Sequence, residues 1–383
     1  MPYAINSGDL SEFQCRLIGT WKNDPSLLVD GRPPSYNVMP MPQMEDQPDR
    51  PPGQQYGGFI LKNFSFTEIV RFNGSIMESD PPEHLDEGAL AIVAGAPNRG
   101  GTYTQTSHAV FYDQLVHFAD GPDKDKVIHV ENGAWLHFGS EEQLIGPYGP
   151  EKYSGQVLRQ PPYVTIAKQI SVPHGNSVLA LGSVDINDTN DFNDSLTGHG
   201  SRYIFRGKPE LPDAPVPYPA PANTATAPYS DPYALQLGDP AHPEQQEYEN
   251  PKPAWTLNPN APLQAALDII HPRYFMHWHV TTESLLGDHG YVTNVPFEER
   301  KSRVTAYWAD YWLLSEDSHS FNYLAYSQTI IMEMDLLVTD MNGDRRFERF
   351  VFPHVTTNVV KKVPGTPTEA RAATPAPLQP ADD

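Results

Sequence analysis

"RVTAYWADYWLLSEDSHSFNYLAYSQTIIMEMDLLVTD", residues 303–340, decides the fold class. Each arm is dense in Val, Thr, Tyr, Trp, Ile and Phe, the residues that pack best on a pleated surface. Between them "SEDSHS" supplies the short polar side chains that favour turns. The stretch reads as two consecutive strands. The same patterning recurs upstream in "SFTEIVRFNGSI" (65–76), "HAVFYDQLVHFA" (108–119), "KVIHVENGAWLHFG" (126–139), "YVTIAKQISV" (163–172) and "NSVLALGSVDI" (176–186). It recurs again in "YFMHWHVTTE" (274–283) and "RRFERFVFPHVTTNVVKK" (345–362). About ten strands joined by turns make an all-β antiparallel barrel or sandwich. Only "APLQAALDII" (261–270) carries apolar residues at helical spacing.

Residues 209–262 hold 14 prolines among acidic and small residues and cannot pair as central strands. We read them as an excursion within one domain spanning 1–362, because strand patterning continues on both sides. Residues 363–383 have the composition of a disordered tail. A second proline-rich stretch, "NVMPMPQMEDQPDRPPGQQYG" (37–57), is a candidate lid over a barrel mouth.

Composition narrows the function. A formal charge of −22 argues against nucleic acid or anionic membrane surfaces as partners. No apolar run reaches the length of a membrane span, and the first residues lack the basic and apolar regions of a signal peptide, so a cytoplasmic location is expected. Cys15 is the sole cysteine, which excludes internal disulfides and cysteine-rich metal sites.

Three constellations carry candidate chemistry. His277, His279, Glu283 and Gly290 have the H-x-H-x₃-E-x₆-G spacing of the first cupin metal motif, with His354 and Asn358 spaced as in the second. His271 stands where that pattern wants a glycine, and the Pro-x-Gly before the second histidine is missing. His277, His279 and Glu283 are therefore kept as an alternative metal set, with no metal as the first expectation. His129 and Glu131 share one strand face and are expected to pair at the lumen. The richest aromatic wall puts Trp308 and Trp312 on one face of their strand. Leu324, Tyr326, Gln328, Ile330 and Met332 share a face on the next. Aromatic and Met side chains with few polar atoms suit an apolar guest. Tyr326, Gln328, His354 and His129 are the candidate catalytic residues, and Trp308, Trp312, Leu324, Ile330, Met332 and Trp135 the candidate substrate wall.

"LIGTWKN" (17–23) resembles the G-T-W opening of calycin-type barrels, the lipocalins and nitrobindins. "VIHVENGAWLHF", "ISVPHGNSVLALGSV", "FNYLAYSQTIIMEMD" and "FPHVTTNVV" resemble nitrobindin strands in matching order. The chain is also similar to fungal proteins described as heme-binding peroxidase-like, and to lipocalin-like fungal pericyclases, including hetero-Diels–Alderases. The resemblance implies an elaborated calycin-like barrel with its Trp plugging the closed end. It implies one of two functions. The first is a cofactor-free cyclisation of an apolar substrate in fungal secondary metabolism. There Tyr326, Gln328, His354 or His129 would polarise a carbonyl or assist loss of water. The second is binding of heme b with His354 as axial ligand.

Overall fold

The computed structural model describes residues 16–42, 59–75, 103–121, 123–140, 165–172, 175–187, 192–193, 200–201, 203–213, 220–221, 255, 258–283, 290–295, 302–339 and 344–364. Seven strands precede the proline-rich excursion: β1 (Gly19–Lys22), β2 (Tyr36–Pro42), β3 (Phe59–Ser75), β4 (Tyr103–Phe118), β5 (Val127–Ser140), β6 (Ile166–Val172) and β7 (Asn176–Val184). Four two-residue strands follow: β8 (Phe192–Asn193), β9 (Gly200–Ser201), β10 (Phe205–Arg206) and β11 (Ala220–Pro221). After α1 (Ala261–Ile270) come β12 (Tyr274–Thr281), β13 (Tyr291–Asn294), β14 (Ser302–Ser315), β15 (Phe321–Thr339) and β16 (Arg345–Lys362).

Ten antiparallel strands close into a barrel. The order runs β12, β14, β15, β16, then β1 and β2 sharing one position, then β3 to β7, and the β7–β12 pairing returns to the start. Strands from both sides of the excursion thus build one barrel. The seam is tight: a Cβ on Gly182 would lie 1.7 Å from the His279 carbonyl oxygen, so this position needs glycine for the strands to meet.

Period-two alternation sends one set of side chains inward. β3 contributes Phe64, Phe66, Glu68, Val70 and Phe72 to the lumen wall. At one end the lumen is filled. Trp135 meets Trp278 at 6.0 Å and Tyr311 at 5.1 Å, both edge-on, while Trp278 and Tyr311 stack at 5.6 Å. Trp21 is fully buried in the same cluster and donates its Nε1–H to the Leu17 carbonyl at 2.7 Å. Gly19, two residues earlier, has φ 128°, a conformation only glycine adopts without strain.

A second core lies outside the barrel. α1 presents Leu263, Ala266 and Leu267 on one face, and they pack with Trp312, Leu314, Ala325 and Val359. The Asn260 side chain ties the helix to its surroundings, donating to the Pro212 carbonyl at 2.7 Å and accepting from Ser327 at 2.8 Å. β14, β15 and β16 are therefore covered on both faces, which removes the polar–apolar alternation from their sequence.

The proline-rich stretch after β1 differs from the expected lid. Residues 36–42 are strand β2, paired with β3 and β16, and 43–58 lie outside the described residues. The excursion is described at 209–213, 220–221, 255 and 258–262, with β11 laid against β16. From the expected tail, only Val363 and Pro364 are described.

Candidate functional site: a lumenal cavity above a buried charge network

The unfilled end of the barrel holds a cavity of about 370 Å³, within the range of small-molecule sites. Phe64, Phe66, Val116, Ile170, Val178 and Ile330 give it largely apolar walls. Polar side chains enter from β5 (His129, Glu131), β14 (Tyr307), β15 (Tyr326, Gln328), β16 (His354, Thr356) and β2 (Asn37). A β-bulge between Val304 and Ala306 re-phases β14, which is why Val304 and Tyr307, three residues apart, both face the cavity.

Beneath the cavity lies a charge network that composition and motif reading missed. The Lys168 ammonium is fully enclosed, 2.7 Å from the Tyr311 hydroxyl, 3.2 Å from Tyr307 and 3.4 Å from Glu131. The rings of Tyr112, Tyr311, Tyr307 and Trp135 surround it at 5.3–6.0 Å, a cage that stabilises a cation. Burial acts to lower the Lys168 pKa, but Glu131 and the three tyrosines outweigh it, so the amine stays protonated and is no nucleophile. Burial likewise acts to raise Glu131. Lys168, His129 and the Tyr112 hydroxyl (2.6 Å) overcome that and hold the carboxyl at about 2.

The second buried carboxyl behaves differently. Glu68 accepts from the Tyr326 hydroxyl and the Asn358 amide, each at 2.6 Å. Burial, the largest influence, and the nearby Glu131 charge nevertheless raise its pKa against these two hydrogen bonds and the Lys168 charge.

The network decides what the cavity-facing groups can offer. Tyr326 reaches the cavity wall as expected, but its proton is given to Glu68. Tyr307 accepts from Lys168 and donates to the Gln328 carbonyl oxygen at 3.3 Å. With that end held, the Gln328 amide N–H₂ is the donor left for a guest. His129 stands 3.5 Å from Glu131, as the shared strand face predicts. His354 is neutral: burial and then His129 hold it down at about 4.

Ile330 and Met332 lie on the cavity wall, whereas Leu324 and Trp135 lie deeper, around a space of about 20 Å³ next to Lys168 and Glu68. Trp308 and Trp312 do not line the cavity, and this corrects the expected aromatic wall. They occupy the opposite face of β14 from Tyr307 and Tyr311. Trp312 is buried in the outer core and stacks on His277 at 5.2 Å.

His277 and His279 also face outward, because Met276, Trp278 and Val280 take the inner face of β12. Both His277 nitrogens are engaged, Nδ1 with Asp185 at 2.7 Å and Nε2 with Asp310 at 3.0 Å. Burial opposes protonation there, yet the two carboxylates raise His277 to about 9. Asp310 also takes His279 Nδ1 at 3.0 Å, while Glu283 is exposed at the strand end. His277 and His279 are thus on the wrong face to meet His354 in the lumen, and the described residues hold no group of three or more metal-ligating side chains.

Heme ligation needs a bare imidazole nitrogen facing an apolar slot. His354 Nε2 sits 2.7 Å from Asn37 Oδ1 with Thr356 beside it, so that nitrogen is committed to its neighbours and any iron would have to be met by Nδ1.

No family model matches the chain, and no curated protein matches it. Among solved structures, one similar chain is the crystal structure of Rv2717c from M. tuberculosis. It has 11% identity and a TM-score of 0.29, covering 92% of this chain and 97% of that one. A likeness that weak carries no argument.

Proposed function

We propose that the chain is an enzyme that takes an apolar small molecule into its barrel and cyclises it without a cofactor. The reaction is a cycloaddition of hetero-Diels–Alder type in fungal secondary metabolism. One observation supports this most: an apolar cavity of about 370 Å³ meets the Gln328 amide, whose carbonyl end is tied down by Tyr307.

In such a reaction a conjugated C=C–C=O unit, as in a quinone methide, and an alkene close a six-membered ring. One C–C and one C–O bond form, three π bonds become one, and no atom enters or leaves. Charge gathers on the carbonyl oxygen as the ring closes, so a hydrogen bond from the Gln328 amide strengthens towards the transition state. The apolar walls hold the two halves in reacting orientation, which supplies the larger share of the acceleration. His129, 3.5 Å from Glu131, is the residue proposed to exchange a proton where a precursor must first lose water to become a heterodiene.

The test is turnover of a polyene with a quinone-methide precursor, against the spontaneous rate. Gln328→Leu should lower the rate by roughly ten- to a hundredfold, the worth of one buried hydrogen bond of about 1–3 kcal/mol. Intact protein that adds nothing to the spontaneous rate would refute the enzyme. A Soret band on heme titration, lost in His354→Ala, would make it a heme protein instead.

A further inference from the structure

We infer that the guest is a neutral molecule whose polar edge carries a hydrogen-bond donor beside an acceptor, as in a lactam or an α-hydroxy ketone, and that Asn37 and His354 bind that edge. The inference rests on the lumenal-cavity reading above and names the chemistry that the cavity selects.

Asn37 sits on β2 in register with Thr356 of β16 and Phe64 of β3, its side chain on the cavity wall. Thr356 Oγ1 donates to Asn37 Oδ1 at 2.8 Å, and His354 Nε2 approaches the same oxygen at 2.7 Å. Two partners thus crowd one end of the amide. The other end, Nδ2, is sealed from water and meets no partner among the described residues. With Nε2–H donating to Asn37, the second His354 nitrogen, Nδ1, is an acceptor with no partner among the described residues. The pair therefore leaves one donor and one acceptor unmet.

Turning the amide over does not change that count. Asn37 Nδ2 would then donate to His354 Nε2 and Thr356, the proton of the ring would move to Nδ1, and Oδ1 would become the unmet acceptor. Either way one donor and one acceptor stand on adjacent strands. Buried polar groups in folded proteins are rarely left so, and a ligand is one way to complete them. The cross-strand neighbour of Thr356 is Gln328, so this polar strip continues to the donor assigned to the reaction. Across the lumen the wall is apolar at Ile170, Val172 and Val178.

Neutrality follows from the charges around the cavity. Glu131 is already balanced by Lys168, and His354 is held neutral by burial. An anion would face the Glu131 carboxylate, and a cation would compete with the caged ammonium.

Calorimetry with 2-quinolone, N-methyl-2-quinolone, naphthalene and quinoline-2-carboxylate tests the inference on the full chain. These probes carry the donor–acceptor pair, the acceptor alone, neither, and a charge. We expect 2-quinolone to bind at least tenfold more tightly than N-methyl-2-quinolone, and the carboxylate to bind most weakly. Asn37→Leu should erase the gap between the two quinolones while naphthalene binding stays unchanged. His354→Phe provides the same reading should Asn37→Leu misfold. Equal affinities for 2-quinolone, N-methyl-2-quinolone and naphthalene would overturn the inference and leave the apolar cavity standing. Tightest binding by the carboxylate would overturn the neutral class. Binding by none of the four would overturn both this inference and the cavity reading.

Discussion

Lys168→Met removes the enclosed ammonium that balances the buried Glu131 carboxylate. Lys168 and Glu131 side chains are 6% and 7% exposed, so water screens the pair little. Breaking a buried pair from one side costs about 3–5 kcal/mol, because a charge is left uncompensated. At roughly 2–4 °C per kcal/mol, the melting temperature should fall by roughly 6–20 °C. The sign of the pH dependence is fixed. Glu131 is held at about 2 against a usual 4.5, so its contribution is present above pH 4.5 and is lost as pH falls through 2. In the variant the carboxyl has lost its cation and titrates higher, so variant and wild type should converge as the solution is acidified. Adding Glu131→Gln to Lys168→Met should restore most of the lost stability, since removing both partners leaves no orphan charge. The assay is calorimetric melting of wild type, both single variants and the double variant from pH 7.5 to 3.5. A loss under about 1 kcal/mol in Lys168→Met, or a double variant no better than the single, would refute the charge network.

Three further outcomes follow from the geometry. Trp312→Ala should lower stability by about 3–5 kcal/mol through lost core packing; calorimetry should then find guest affinity unchanged, because the indole lies outside the barrel. His277 is raised to about 9, so its stabilisation is complete below pH 6.5 and lost as pH rises through 9. His277→Gln should therefore flatten the alkaline limb of the melting-temperature profile, and an unchanged limb would count against the Asp185–His277–Asp310 clamp. Gly182→Ala should destabilise by about 1–3 kcal/mol or more, read as a lower denaturation midpoint, because the new Cβ collides with the His279 carbonyl at the seam.

Much of the barrel was legible, and the misreadings have a common cause. Strand content and the short helix stand in the sequence because turns interrupt β-branched and aromatic runs, and apolar residues recur at helical spacing only in 261–270. The inner face of β3 carries a signal that went unread: Glu68 breaks the series Phe64, Phe66, Val70, Phe72, and one carboxyl on an apolar face marks a buried charge. Lys168 between Ile166 and Ile170 carries the same signal. β14 was not legible. Trp308 and Trp312 on one face and Tyr307 and Tyr311 on the other are equally aromatic, because α1 covers the outer face. The bulge at Val304 shifts the phase further, and no residue announces it. On β12 the histidine spacing drew attention to His277 and His279. The more apolar alternates Met276, Trp278 and Val280 were the better guide to what faces inward.

The central claim is that the lumen orients a substrate for ring closure, and the stereochemistry of the product tests it most directly. A polyene and a quinone-methide precursor incubated with the protein should give one enantiomer of the cycloadduct above the spontaneous rate. Filling the cavity with Ile170→Trp should return both rate and enantiomeric excess to background while the fold, followed by circular dichroism, persists. Racemic product at the spontaneous rate with intact protein, or an enantiomeric excess that survives the filled cavity, would contradict the account.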